Sequence, residues 1–452
     1  MTTEQINPSP PEEGKPLPAG LPHVAYVLLW YPLFTQPFIF REVEGLKEHL
    51  PLTVYSLYAR NLRHCSTEMR AAADSVRTFG IKAAPLFALE LLRQLLTHPL
   101  RLCRLFRRSM FRRWRSLETF GENLWAFGAG LYLGRRFRED GIDMIHAPWP
   151  RGAATAAWVA ADIAGVPFST SARGDNLEPA DPDLADKLSA ALFVRANNAA
   201  DQARIEAFDR SQARGKVALV YNSLTLPPPA VDSTASRSGD CTRKTPRLEQ
   251  GPVRLLALGR FDVTKGFDVL LTACGILRER GLNFSLTLAG GGGKVMGLGH
   301  LGAQLVKMRK DLGLEKQVDM PGLISHNELP RILDEHDIFV APCVVHASGR
   351  RDGIPNTVIE ALAYALPVIS TTVNALPEVV RDRETGLAIP PGDPQALAEA
   401  VLRLVGHPEE ARRMGRNGAL LARDMFDPHT NNLRLAELFI SWYAHWKKTC
   451  AA

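Results

Sequence analysis

Apolar residues in this chain gather in short unbroken runs, and each run gives way to a longer stretch with helical spacing. From His23 to about Leu226 the runs are Val24–Leu29, Leu52–Leu57, Ile142–Ala147, Pro167–Ser171, Leu192–Ala196 and Val217–Tyr221. The pattern restarts with Val253–Leu258, Ser285–Ala289, Gln317–Met320, Ile338–Ala341, Val368–Ser370 and Leu387–Ile389. A run without a polar face belongs to a strand covered on both sides, and strands that alternate with helices predict parallel sheets. The chain therefore reads as α/β, with two doubly wound halves.

Residues 227–252 separate the halves with a Pro triplet and many Ser, Thr, Arg and Gly, the composition of a linker. Residues 1–22 read as a disordered extension. The predicted domains are 23–226, with a helical insert at about 81–135, and 253–430, followed by a helix over 431–452 that crosses back. Open α/β sheets bind ligands beyond the carboxyl ends of their strands, so the cleft between the halves is the predicted site.

With 452 residues, 46% of them hydrophobic, the chain can bury two cores. No basic segment followed by an apolar one marks a signal peptide, so export is not expected. The run Val24–Phe40 is broken by Pro32 and Pro37 and is too short to span a bilayer. The cysteines are dispersed, without C-x-x-C or zinc spacing, which suggests reduced thiols in the cytoplasm and no metal site.

The net charge of +6 is local: eight Arg and no Asp, Glu or Lys lie between Arg93 and Arg115, and the rest of the chain is slightly acidic. No zinc-finger, RNP or basic-zipper pattern accompanies them, so nucleic acid is not an expected partner. On a helix starting at Pro99, Arg101, Arg104, Arg108, Arg112 and Arg115 share one face, with Leu102, Leu105, Phe106, Met110 and Trp114 mostly opposite. That arrangement suits an anionic membrane surface; a solvated face on a helical insert is the alternative.

Candidate chemistry concentrates in Gly349–Glu360. Asp352 and Glu360 stand eight residues apart around Gly353-Ile354-Pro355-Asn356-Thr357, a turn that opens a short helix. Free N–H groups at a helix start seat an anion, and Glu360, one turn in, can accept hydrogen bonds from a vicinal diol such as a ribose. Together they read as a nucleoside-diphosphate site. Neither G-x-G-x-x-G after the first strand nor a P-loop is present, which excludes the dinucleotide-cofactor and P-loop readings.

The string RDGIPNTVIEALAYALPVIST resembles the acidic-x7-Glu motif of retaining GT-B glycosyltransferases of family 4, in the form of the exopolysaccharide branch, with Asp352 where most of the family has Glu. Gly259-Arg260-Phe261-Asp262-Val263-Thr264-Lys265-Gly266-Phe267 resembles the family's GR…KGF signature, which implies that Arg260 and Lys265 hold the diphosphate. Fixed cations there would stabilise charge developing on the leaving group. The resemblance also implies that Gly290 lets backbone approach the nucleotide, with loop flexibility as the other reading, and that the turn at Leu323 contacts the base. His326 reads as a helix cap. In the first half, Trp30–Glu44 resembles a strand-to-helix entry of exopolysaccharide glycosyltransferases. Thr35 and Gln36 are candidates for acceptor or diphosphate contact, while Arg41, Glu42 and Glu44 read as helix decoration. His146 ends a strand as a cleft-facing hydrogen-bond donor or as a satisfied buried His. Arg173 stands where many relatives have a His lining the donor sugar, and Asp175 is a further sugar-hydroxyl acceptor. The implied function is sugar transfer from a nucleotide-diphosphate donor to a lipid-linked oligosaccharide, with no cofactor beyond the donor, by a peripheral protein at the inner face of the plasma membrane. The alternative is a sugar-nucleotide-binding module without turnover, motivated by Arg173.

Overall fold

The computed structural model describes residues 17–18, 20–60, 62, 65–111, 116–174, 177, 180–211, 215–224, 251–291, 299–325 and 327–451. Most of the linker, Asp175 and His326 lie outside them. The first domain holds β1 (Val24–Leu28), β2 (Leu52–Ser56), β3 (Arg77–Thr78), β4 (Met144–Ala147), β5 (Phe168–Ala172), β6 (Val194–Ala196) and β7 (Val217–Leu219). They form one parallel sheet in the order β3-β2-β1-β4-β5-β6-β7. The second holds β8 (Val253–Leu258), β9 (Phe284–Ala289), β10 (Val318–Asp319), β11 (Ile338–Ala341), β12 (Val368–Thr371) and β13 (Gly386–Ile389), in the parallel order β10-β9-β8-β11-β12-β13. In both sheets the strand order reverses beside the first strand, at β1/β4 and at β8/β11, and those switch points open the crevices where ligands sit. Strand β3 has no counterpart among the predicted runs because it is a two-residue edge strand on which Arg77 is exposed.

The helices include α1 (Pro37–Lys47), α2 (Ala84–Thr97), α3 (Pro99–Ser109), α4 (Leu117–Glu139), α5 (Gly152–Ala164), α6 (Ala199–Phe208), α7 (Asn356–Ala363) and α8 (Pro428–Ala451). Small residues allow α4 and α5 to cross closely: a Cβ at Gly130 would lie 2.7 Å from the Ala156 carbonyl oxygen, and one at Gly134 would lie 2.4 Å from Ile163 Cβ. Helix α8 leaves the second domain and packs on the first. Its Leu435, Ala436 and Phe439 share a buried cluster with Val24, Tyr26, Ile39 and Val43, and the Tyr443 hydroxyl donates to Asp143 at 2.6 Å.

Two expectations need correction. Glu42 does not decorate α1: it is 1% exposed, accepts from the Tyr26 hydroxyl at 2.6 Å, and pairs with Arg173 at 2.9 Å and with Arg195. Its position on the inner stripe of α1, between Ile39 and Leu46, forces it inward, and two guanidiniums compensate the burial. The arginine face of α3 is likewise partly engaged by the neighbouring helix α5. Arg101 pairs with Asp162 of α5 at 2.8 Å, and Arg108 stacks over the Trp158 ring at 4.2 Å. Arg104 and Arg107 remain exposed, while Arg112 and Arg115 lie outside the described residues.

Burial pushes the Glu42 carboxyl up, but Arg195 and Arg173 outweigh it and bring it down to about 2. Its folded pKa therefore lies below the ordinary carboxylate value, so the stabilisation is present above about pH 4 and is lost as pH falls through about 2. Glu42→Gln should leave two buried guanidiniums uncompensated and cost about 3–5 kcal/mol in urea unfolding at neutral pH. An unchanged unfolding midpoint would show that the pair is solvated.

Candidate functional site

The loops that follow β8 and β11 meet at the second switch point. After β8 the chain turns through Gly259 and Arg260 into a 3-10 turn at Val263–Lys265, capped by Asp262. Lys265 Nζ lies 2.9 Å from Asp352 Oδ2, both side chains largely shielded from water. Desolvation would lower the ammonium pKa, yet Asp352 outweighs it and the net shift is upward, so Lys265 stays charged. Asp262 is 4% exposed and accepts from Thr264 N and Oγ1, each at 3.0 Å, and from Arg350 Nη2 at 2.6 Å. Burial raises its pKa, but the Thr264 N–H and Arg350 pull harder, and it stays ionised. Arg260 lies within electrostatic reach of both Asp262 and Lys265. Three cations, Arg260, Lys265 and Arg350, thus face two carboxylates at the carboxyl end of β8. Sequence reading passed over Asp262 and Arg350. The signals were the Asp-x-Thr turn inside the glycine-bounded signature and an Arg two residues before Asp352.

Helix α7 begins beside this cluster. Pro355 precedes it in extended conformation, no side chain caps its start, and Thr357 Oγ1 ties it to the Leu258 carbonyl at 3.2 Å. Ile354 anchors the turn by burial, and Gly353 sits against Asn198 and Asp201 of the first domain. Glu360, one turn into α7, is half-buried; desolvation pushes its carboxyl up to about 7 against the pull of Arg41. Arg41 reaches it from α1, and its Nη1 is buried without a hydrogen-bond partner. Leu323 is 55% exposed and overhangs Gly291. At Gly290 a Cβ would lie 1.8 Å from the Gly259 carbonyl oxygen, so glycine there serves the close passage of two backbones at the strand ends rather than loop flexibility. Thr35 is exposed and Gln36 half-buried at the start of α1.

Two predicted residues stand elsewhere. His146 does not face the cleft: it is fully buried, its ring nitrogens are taken by Ser169 Oγ at 2.8 Å and Ser171 Oγ at 3.1 Å, and it packs on Tyr26 and Phe439. Burial pushes its imidazole down to about 3 and keeps it neutral. Arg173 is 4% exposed, sits over Phe38 and Trp149, pairs with Glu42 and donates to Asn222 Oδ1 at 2.9 Å. Its side chain is linked toward the site through Asn222, whose amide approaches Asn356 Oδ1 at 3.5 Å.

The domains meet beside the acidic motif. Glu378 of the second domain accepts from the first two backbone N–H groups of α6, Ala199 and Ala200, each at 3.0 Å, and from the Tyr221 hydroxyl at 2.8 Å. A carboxylate on free N–H groups at the positive end of a helix dipole is favourable, and here it bridges domains. Asn374 donates to the Asp352 carbonyl at 2.9 Å and approaches Asp201 Oδ1 at 3.4 Å.

Residues 241–420 match the family described as Glycosyl transferases group 1. The second domain is a glycosyl transferases group 1 domain. The chain is 39% identical over 153 residues to the amylovoran biosynthesis glycosyltransferase AmsK of Erwinia amylovora, 34% of this chain and 36% of that protein. It is 32% identical over 216 residues to the GDP-mannose-dependent alpha-(1-6)-phosphatidylinositol monomannoside mannosyltransferase of Mycolicibacterium smegmatis, 47% of this chain and 54% of that one. The chain thus matches from about a third to about half of the length of these relatives. The crystal structure of HepE from Anabaena in complex with UDP and glucose superposes over 93% of this chain and 100% of its own, with a TM-score of 0.67 and 16% identity. The two domains of this chain therefore have the GT-B fold.

Glu378→Ala should free the α6 N-terminus and loosen the domain pair. The expected cost is about 1–2 kcal/mol, the scale of a lost helix cap, with a larger radius of gyration in solution scattering. Unchanged stability and dimensions would mean that the seam is held by other contacts.

Proposed function

We propose that this chain is a retaining glycosyltransferase that moves a sugar from a nucleotide-diphosphate donor to a lipid-linked glycan in exopolysaccharide assembly, working at the inner face of the plasma membrane. The observation that carries the reading is the cluster of Arg260, Lys265 and Arg350 against Asp262 and Asp352 at the carboxyl end of β8, beside the uncapped start of α7. As the bond from the sugar's anomeric carbon to the diphosphate breaks, negative charge grows on the leaving phosphates. Arg260 and Lys265 are fixed where they can meet that charge without reorganisation, the role a divalent ion fills elsewhere. Asp352 holds Lys265 in place, and Glu360 accepts from the ribose hydroxyls.

The named relatives support the two finer parts of this reading. AmsK is an amylovoran biosynthesis glycosyltransferase, which favours a polysaccharide product. The mycobacterial relative is GDP-mannose-dependent and named for a phosphatidylinositol monomannoside, which favours both a nucleotide-diphosphate donor and a lipid-borne acceptor. A binding module without turnover rested on Arg173 in the donor site, and Arg173 is committed to Glu42 and Asn222 instead.

Screening nucleotide sugars for thermal stabilisation identifies the donor, since a ligand at about a hundred times its Kd adds roughly 2.7 kcal/mol. NMR of the product's anomeric configuration then decides retention. Arg260→Ala and Lys265→Ala should each lower kcat by about 10²–10³ in the presence of a chelator. Turnover at the parent rate in both variants would overturn the assignment.

Donor affinity should also depend on pH. Glu360 is protonated below about pH 7 in the free protein, and the carboxylate is the better acceptor for a ribose hydroxyl. Affinity should weaken by up to about tenfold per pH unit as pH falls below 7, and Glu360→Gln should flatten that profile. A sloped profile in the variant would assign the titration to another group.

A further inference from the structure

Helix α2 is inside out. Its inward side carries Phe87 with two polar residues, Glu90 and Gln94, which are 3% and 5% exposed and hydrogen-bonded to each other at 2.9 Å. Its outward side carries Leu86, Leu89, Leu91, Leu92, Leu95 and Leu96, between 42% and 74% exposed. A surface helix ordinarily turns its apolar stripe to the core, and an apolar surface of this extent marks an interaction site. Shallow depressions of about 370 and 340 Å³ flank it, the first lined by Leu86, Leu89, Leu92 and Leu96 and the second by Leu91, Leu102, Phe106 and Phe111. Leu100, at the turn into α3, is 85% exposed and extends the patch.

Along residues 81–111 the exposed charges are of one sign. Lys82, Arg93, Arg104 and Arg107 are exposed, and Glu90, the one acid from 81 to 111, is turned inward. A second copy of this face would bring arginine against arginine, which disfavours self-association. One leaflet of an anionic bilayer accepts both parts: acyl chains take the leucines while headgroup phosphates take the arginines.

The patch also leads to the cleft. Phe87 on its inner side contacts Trp125, Trp125 stacks on Tyr58, and Tyr58 contacts Trp30, with ring centroids 4.9, 6.2 and 4.9 Å apart. Trp30 lies in the loop after β1 that carries Thr35 and Gln36.

We propose that the leucine face of α2, with the adjoining side of α3, inserts into the surface of an anionic bilayer and sets the acceptor mouth of the cleft against it. The apolar side is the anchor, and the exposed arginines are its electrostatic rim. The inference rests on the membrane placement in the proposed function and goes beyond it by naming the surface.

The test uses vesicles of phosphatidylglycerol with phosphatidylethanolamine, and of phosphatidylcholine alone. The full chain should co-sediment with the anionic set. Leu89→Ser/Leu92→Ser/Leu96→Ser should weaken that partition at least tenfold while keeping the thermal shift induced by the donor. A fluorophore on Leu96→Cys should shift to the blue on anionic vesicles in an otherwise unchanged chain. Parent-like partition of the triple variant together with an unshifted fluorophore would overturn the leucine anchor while leaving the membrane placement standing. Failure of the parent to bind either vesicle would overturn both. A parent dimer that the triple variant dissociates would also overturn the anchor, because a second copy would then cover the face.

Discussion

The carboxylate of Glu42 is the point on which the geometry of the cleft depends. It sits at the core of the first domain with Tyr26 on one oxygen and two guanidiniums on the other. Arg195 carries the connection onward to the carbonyls of Val220 at 2.9 Å and Tyr221 at 2.8 Å, where the chain leaves the first sheet. Arg173 carries it to Asn222 and so toward Asn356 at the head of α7. One buried charge therefore relates α1, the ends of β5 and β6, the exit strand and α7. A well-packed apolar substitute can match such a network in stability, but it fixes no directions; hydrogen bonds from a planar guanidinium do.

On that frame the cleft is assembled from two sheets of the same order. Each switch point offers loops at the carboxyl ends of its strands, and the two crevices face one another. The second contributes the cations and the open helix start. The first contributes α1, with Arg41 over Glu360 and the Thr35–Gln36 entry. Glu378 and Asn374 bind the N-terminal turn of α6 to the acidic motif, so the position of Asp352 depends on contact between the domains. The candidate site belongs to one domain in sequence and to both in space.

The helical insert divides its two kinds of surface in an unusual way. Two of the arginines that are amphipathic by spacing are held against α5 by Asp162 and Trp158. Leucines that would ordinarily be buried are left outside because α4 already fills the space beneath α2, with Arg135 as well as Arg93 near Glu90.

The parallel sheets, their division into two halves and the turn of the acidic motif were legible in the sequence because each is a local property. A strand covered on both faces must be a continuous apolar run, and a Gly-Ile-Pro-Asn turn with flanking carboxylates needs no distant partner to be recognised. Gly259–Gly266 was legible for the same reason. Partnership was not legible. Glu42 and Arg173 lie 131 positions apart, and nothing local tells a charge that will be paired in the core from one that will meet solvent. His146 ends a strand whose carboxyl end could face a ligand or a neighbour, and the serines two strand positions apart on β5 turned it into core. Helical spacing located an amphipathic face on α3 but could not say which side α5 would take. Local sequence sets backbone conformation through sterics and periodicity, whereas the fate of a charge is decided by the residues that desolvate it, and only the tertiary fold brings those together.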